Sequence, residues 1–302
     1  MGQSLSKAIT AFALDLYNRL NSNKHCKNVF FSPASISTAL GMVLIGAGGN
    51  SRMQIEKVSK TMIGLPDKNL FSSFGGFGRT IYSEFKQLLL QLNNLSHGYQ
   101  LKLANNLFMQ KGYQFLQNET KPVHMMYQQG RFKLGHTDGK SAQILCLPYV
   151  DELLSMIIIL PNDISQLEQV EVQLADKTNF WLSPGNLRER PVEIYIPRFK
   201  LEAGYDLNMT LQSLGLIDVF SEAKADLLGM SPSPKLFLST VVHKAYVDIN
   251  EVGTEAAAAT GVAVSNRSLE HQELFVADHP FLFCILHNPT DTVLFLGKLC
   301  CP

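Results

Sequence analysis

EVGTEAAAATGVAVSNRSL, residues 251–269, is the stretch on which the reading of the whole chain turns. Ala256, Ala257, Ala258 and Ala259 sit between Glu255 and Thr260, and a single arginine, Arg267, stands near the far end. Propensity alone reads the alanine run as helix, because alanine loses no side-chain entropy there. Gly253 before the run and Gly261 after it oppose a long helix, and Val262, Ala263 and Val264 favour extended chain. The segment has no large apolar face to bury in either form. Its side chains fit a crowded strand position, yet its polarity lets it sit in water. Two readings follow: a loop able to change structure, or an exposed linker.

The flanking chain narrows the choice. At 302 residues it is long for one domain and short for two. A hydrophobic content of 46% with 17% charged residues is that of a globular protein and excludes wholesale disorder. Lys+Arg and Asp+Glu balance at 26 each, so no nucleic acid and no anionic membrane is expected as partner. Cys26, Cys146, Cys284, Cys300 and Cys301 are odd in number and lack CxxC spacing. They are expected to be reduced, mostly structural thiols of an intracellular protein. No metal-site spacing occurs, so neither metal nor cofactor is expected.

The opening MGQSLSKAITAFALDLYNRL has no basic flank, long apolar core or small-residue cleavage site, so it does not read as a conventional signal peptide. Gly2 with Ser6 fits the bare pattern for myristoylation, but amphipathic helix begins by Ala8. No apolar stretch has the roughly 18 to 20 residues needed to span a bilayer.

Ile9, Phe12, Ala13, Leu16 and Leu20 recur at helical spacing, which predicts a first helix ending near Asn21 to Asn23. NVFF (28–31) reads as a short buried strand. Ser32-Pro33 then caps and starts a second helix, SPASISTALGMVLIGAG. Its Gly41, Gly46, Gly48 and Gly49 lack the GxGxxG order of a phosphate loop and are read as close packing and a helix end. A third helix is expected around Met53 to Met62, a loop over 65–79, helix again over 81–92, and a buried strand at 101–110.

From Val123 onward the pattern turns to β. MMYQQGRFKLG, SAQILCLPYV and LSMIIILP are three strands, followed by helix over 164–174 and another helix carrying the sole tryptophan, Trp181. VEIYIPRFKLEAGYD (192–206) reads as two edge-to-edge strands broken at Pro197. Helix over 207–214 ends at Gly215. Residues 235–251 run from a short helix or turn into a strand that feeds the alanine-rich stretch. LFVADHPFLFCIL (274–286) and DTVLFLGKL (291–299) form a terminal pair of apolar strands around an Asn-Pro-Thr-Asp turn. Helices first and strands later make an α+β chain without internal repeats.

Taken together, NVFFSPASISTALGMVLIGAGGNS, LPYVDELLSMIIILP, VEIYIPRFKLEAGYDLN, the run from LGLIDVFSEAKADLLGM to EVGTEAAAAT, FVADHPFLFCI and the closing proline resemble a serpin of the ovalbumin-type, leaderless clade (clade B). The resemblance covers almost every residue. It implies a single serpin domain over 1–302, with helices packed on three β-sheets and an exposed reactive-centre loop at about 251–273.

It also implies a suicide-substrate mechanism. A protease attacks the loop and becomes acylated, and the cleaved loop inserts into the large sheet before the ester hydrolyses. The hinge, Glu251, Gly253, Thr254, Glu255, Ala256, Ala257, Ala258, Ala259 and Thr260, must then avoid bulk, inward charge and proline. Thr254, Ala256, Ala258 and Thr260 share one side at period two, and all are small. Val252 stands where many inhibitory relatives carry a second acid. By the family's loop spacing the scissile bond joins Arg267 and Ser268. An arginine there would fill the acidic pocket of a trypsin-like serine protease, the expected partner, through charge pairing. The plainer reading of Arg267 is a solvated loop arginine.

The resemblance jumps between Gln117 and Asn118. Relatives carry there the end of one helix, a first strand of the large sheet, a helix across it, and its third strand. Roughly a quarter of a usual serpin chain is absent, a large part of a domain core. The large sheet is therefore expected to be incomplete, and its unpaired edges open a route to self-association. The alternative to protease inhibition is a non-inhibitory serpin or an inactive splice-type variant. An enzyme is not expected: GxSxG is absent, and His25, His136, His243 and His279 have no evident Ser or Cys partner. Asn94, Asn118, Asn208 and Asn266 begin N-x-S/T sequons, expected to stay unmodified in a cytoplasmic protein, though release by a leaderless route is compatible with the sequence.

Overall fold

The computed structural model describes residues 2–22, 27–60, 83, 86, 87, 90, 123–149, 152–176, 187–231, 236–250 and 272–301. They fall into two compact units, each drawn from three separate stretches of chain.

The first unit is helical. α1 (Gly2–Leu20) buries Ile9, Phe12, Ala13 and Leu16 on one stripe, as its periodicity predicts. α2 (Pro33–Gly46) starts where Ser32 places its side-chain oxygen to accept from the Ser35 backbone N–H at 3.1 Å, with proline in the first turn. α2 ends at Gly46, where an added Cβ would stand 1.9 Å from Met230 Cγ. An added Cβ on Gly48 would stand 2.5 Å from an Asp226 carboxylate oxygen. The glycines of GAGG are thus close-packing residues against the 226–230 turn, not a phosphate cradle. α3 spans Gly49–Val58, four residues earlier than expected, because Gly48 caps it without a side chain to announce the start.

The second unit is built on an eight-stranded sheet. In chain order its strands are β1 (Val29–Phe31), β2 (Met125–His136), β3 (Ala142–Pro148), β4 (Leu154–Pro161), β5 (Arg188–Pro197), β8 (Glu273–Val276), β9 (Phe281–His287) and β10 (Thr292–Leu299). Their order across the sheet is β1-β10-β9-β4-β3-β2-β5-β8, antiparallel throughout except for the parallel pair β5-β8. β4, β9 and β10 are buried at every position, as strands covered on both faces are, and β2 alternates. α4 (Leu167–Asp176) follows a single 3₁₀ turn that starts at Asp163, whose carboxylate caps the Ser165 N–H at 2.8 Å. Near-buried Lys298 closes the unit, donating to Asn21 Oδ1 at 2.5 Å and pairing with Glu171 at 3.2 Å.

The two remaining strands, β6 (Phe199–Asp206) and β7 (Val242–Ile249), form a separate two-stranded sheet. α5 (Asn208–Ser213) follows β6 and gives way to Gly215 at φ +108°, a conformation glycine adopts without strain.

Three expectations need correction. Residues 192–206 do form two strands broken at Pro197, but the strands do not lie edge to edge: β5 pairs with β2 and β8, and β6 with β7. Pro191 sits inside β5 opposite Arg131, so that strand begins earlier than its alternation suggests. Residues 274–286 are two strands, because Asp278-His279-Pro280 interrupts the pairing. Ser83, Lys86, Gln87 and Leu90 are helical as expected, while the loop at 65–79, the strand at 101–110 and the helix with Trp181 lie outside the described residues.

Gly297 gives a direct test of the core. Phe30 stacks on Phe283 and Phe295 at centroid distances of 5.8 and 5.3 Å. A Cβ on Gly297 would come within 2.6 Å of the Phe283 ring and 3.0 Å of Phe30. Gly297→Ala is expected to destabilise the protein by about 1–3 kcal/mol through overpacking, read as a lowered urea midpoint at unchanged slope.

Candidate functional site

The residues singled out from the sequence, namely the hinge Glu251, Gly253, Thr254, Glu255, Ala256, Ala257, Ala258, Ala259 and Thr260 and the pair Arg267 and Ser268, lie outside the described residues. What the structure supplies is the pair of strands from which that segment departs and to which it returns.

The departing strand is β7. It pairs with β6 and, among the described residues, with no other strand. Its last turn of sequence is fixed by Asp248. Lys200 on β6 reaches the Asp248 carboxylate at 2.8 Å, Asn250 Nδ2 donates to it at 3.0 Å, and the Tyr246 hydroxyl donates at 3.3 Å. The hydrogen bond from Lys200, with smaller help from Asn250 and Tyr246, holds the Asp248 carboxyl below the usual carboxylate range. In return Asp248 pushes the Lys200 ammonium up. These groups are well solvated, so the pairing orients Asn250 more than it stabilises the fold.

A small cavity of about 50 Å³ lies against the end of β7. Ile249 and Asn250 line it together with Met126, Met156, Ile196 and Tyr149. Burial pushes the Tyr149 phenol up to about 12, so it stays a neutral hydroxyl at any physiological pH.

The beginning of β7 is tied down by a contact the sequence reading did not anticipate. The Ser32 backbone N–H donates to His243 Nε2 at 2.9 Å. That assignment puts the ring proton on Nδ1 and keeps the imidazole neutral. His243 is only 4% exposed, and burial lowers its pKa to about 4. No local pattern could have shown this, because the partners are 211 positions apart. The only hint was a histidine inside a strand.

The returning strand is β8, which lies at the sheet edge and runs parallel to β5 from Val192↔Glu273 to Tyr195↔Val276. Arg190 fixes its first residue through Glu273 at 2.8 Å. His279 follows, with Nδ1 2.8 Å from Asp278 and Nε2 2.6 Å from the Pro161 carbonyl. It buttresses the turn into β9. Of the four sequons only Asn208 is described; its amide donates to the Ser239 carbonyl at 3.1 Å and accepts from the Val241 N–H at 2.8 Å. Among the described residues no group of three or more His, Cys, Asp or Glu could hold a metal ion, and no helix is long and apolar enough to cross a membrane.

An incomplete α+β fold of helices with an eight-stranded mixed sheet and a separate two-stranded one, with a small-residue segment between β7 and β8 in the chain, defines the class. The family model for serpins, serine protease inhibitors, matches residues 7–118 and 115–302, and the chain belongs to the serpin family, within its ovalbumin-type clade. Serpin B11 of Homo sapiens is 36% identical over 390 aligned positions, covering 99% of this chain and 100% of the relative. The leukocyte elastase inhibitor of Sus scrofa is 34% identical over 393 positions, with 99% and 100% covered. Those alignments are longer than the 302 residues of this chain, so an interior part of each relative faces no residue here. Among solved structures, uncleaved ovalbumin matches with a TM-score of 0.77 at 25% identity, covering 99% and 100% of the two chains. A loop-inserted, cleaved ovalbumin mutant matches with a TM-score of 0.72 at 25% identity over the same shares.

His243 links pH to the stability of β7. Its folded pKa, about 4, lies below the ordinary value of 6.5, so the unfolded chain binds more protons between the two. Its contribution is complete above pH 6.5 and is lost as pH falls towards 4, by roughly 3 kcal/mol at most. Urea unfolding measured over that window is expected to show the slope. His243→Gln, which keeps an acceptor for the Ser32 N–H but cannot titrate, is expected to flatten it.

Proposed function

We propose that this serpin inhibits a trypsin-like serine protease as a suicide substrate, with Arg267-Ser268 as the scissile bond. The observation that carries the reading is β7: its backbone is paired on one side only among the described residues, and it runs straight into the hinge of small residues. After cleavage the hinge can fold back beside β7, placing Thr254, Ala256, Ala258 and Thr260 on one face without bulk. The new ladder would satisfy the backbone groups of that edge. Support comes from relatives that are named leukocyte elastase inhibitor and from a cleaved ovalbumin mutant whose loop is inserted. Arginine before the scissile bond directs the loop to an acidic specificity pocket.

The protein acts as a single serpin domain, residues 1–302, with its bait loop at about 251–273. It is bound by a protease and is not itself an enzyme. The reading places it in the cytoplasm and gives it neither cofactor nor nucleic-acid partner.

A second reading is favoured by the 390-position alignment against a 302-residue chain. The strand that would flank the inserted loop on its far side belongs to the absent part, which makes a non-inhibitory serpin or an inactive splice-type variant. The free edge would then recruit a strand from a second copy. Sedimentation over a range of concentrations is expected to show self-association, and a concentration-independent monomer would refute that part.

Incubation with a trypsin-like protease followed by a denaturing gel separates the readings. Inhibition gives an SDS-stable covalent band of the protease joined to residues 1–267, with residues 268–302 released as a peptide; cleavage after Arg267 without such a band gives the second reading. Arg267→Ala is expected to slow complex formation on the order of a hundredfold, the cost of removing one partner of a buried charge pair.

A further inference from the structure

The end of the large sheet made by β2, β5 and β8 has one packed face and one open face. Val192, Ile194 and Phe275 are buried on the packed side. The register puts their neighbours on the other: Tyr127 opposite Tyr195, which stands beside Val276, and Gln129 opposite Glu193, which stands beside Leu274. Tyr127 is 55% exposed and Leu274 54%, with Tyr195, Val276 and Glu193 half-buried. The two tyrosine rings lie 5.0 Å apart at an interplanar angle of 44°.

An open sheet face ordinarily alternates to polar side chains. This one carries two aromatic rings and two aliphatic side chains across three neighbouring strands. A cross-strand aromatic pair steadies the strands it joins. Leu274 and Val276 extend the apolar surface onto a third strand, which that pairing does not require. Glu193 sits among them and takes part in no ion pair among the described residues. Rigid rings with a polar tip, next to one carboxylate, are the anchors that protein partners use.

We propose that this face is a second docking surface, outside the scissile bond, for the serine protease that attacks Arg267-Ser268; it rests on the function proposed above. Chain length sets the reach whatever path the intervening residues take. Ser268 and Leu274 are six positions apart, so at most about 22 Å separates them. Tyr195 and Tyr127 lie one and two strands beyond β8, at about 4.8 Å per strand. A protease domain of about 200–250 residues has a radius of gyration of about 17 Å and is roughly 45 Å across. Seated on the bond, it is wide enough to cover the face as well. The side chains set the partner's chemistry: the rings and Leu274 fit an apolar rim, and Glu193 favours a protease with a basic edge there.

The test takes the full-length chain and cationic trypsin and measures the second-order rate of reaction at Arg267, counting cleaved and covalently trapped chain together. Tyr127→Ala and Leu274→Ala are each expected to slow it about tenfold. Tyr127→Phe, which keeps the ring, is expected to keep the rate. Glu193→Gln is expected to slow it about threefold at low salt and to leave it unchanged at about 0.5 M salt, because a rim charge acts on association and is screened. A loosened fold would not show that salt dependence. Unchanged rates in Tyr127→Ala and Glu193→Gln, with reaction at Arg267 intact, overturn the docking surface and leave the proposed function standing. No reaction at Arg267 in the unaltered chain overturns both.

Discussion

The fold depends on a pairing between the two ends of the chain. β1 is three residues long and has one partner, β10, with Val29 opposite Lys298 and Phe31 opposite Leu296. Three residues of ladder do not hold a strand in water. Phe30 does, by stacking between Phe283 and Phe295 over the gap left by Gly297. Each such ring contributes about 1.5–3 kcal/mol on burial, which exceeds the net contribution of the few hydrogen bonds beside it. β10 also pairs with β9 across a short turn, and β9 with β4, so the sheet rests on contacts of long sequence separation at β1-β10 and β4-β9. Such contacts are slow to form and, once formed, rigid.

That rigidity is unevenly distributed, and the gradient runs towards the loop. β4, β9 and β10 are buried along their whole length, while β8, at the far edge, has four residues and a single neighbour. β7 is likewise bonded to β6 alone among the described residues. The segment proposed as bait thus joins strands with ladder groups to spare, where polar clasps, Lys200 to Asp248 and Arg190 to Glu273, stand beside the buried Ala245, Ile249 and Phe275. An arrival strand with one neighbour and a departure strand paired on one side only would suit a segment that changes its pairing.

How much of this was legible depended on whether the signal was local. Ser32-Pro33 announced α2, the largely apolar run LSMIIILP announced β4, and Asn-Pro-Thr-Asp announced the last turn, because each encodes its structure within a few positions. The partition of β5 and β6 between two sheets was not legible, since alternation gives the face of a strand and says nothing of its partner. α3 began early because a glycine cap carries no side-chain signature. The link from Ser32 to His243 joins residues far apart in sequence and had no pattern to show. Residues 251–271, read as a loop from composition and spacing, lie outside the described residues, and their meaning came from resemblance to a family. The incomplete sheet was legible for the same reason, as a break in an otherwise continuous match.

The break and the hinge bear on each other through simple energetics. Ordering a residue costs about 1–2 kcal/mol of backbone entropy, and a hydrogen bond returns about 1 kcal/mol net. An inserted strand with a neighbour on either side bonds both of its edges, whereas one with β7 alone bonds a single edge and leaves the other exposed. Alanine and threonine at the inward positions bring little apolar area to make up the difference. With one neighbour, insertion is therefore driven by roughly half the ladder that a complete sheet provides. The race between insertion and hydrolysis of the acyl bond is then decided by whatever occupies the far edge. A strand from a second copy competes for the same β7 groups as the loop and removes the edge altogether. On the proposed mechanism, trapping of a protease and self-association would be alternative uses of one set of backbone hydrogen bonds, and a rise in concentration that favours the second would weaken the first.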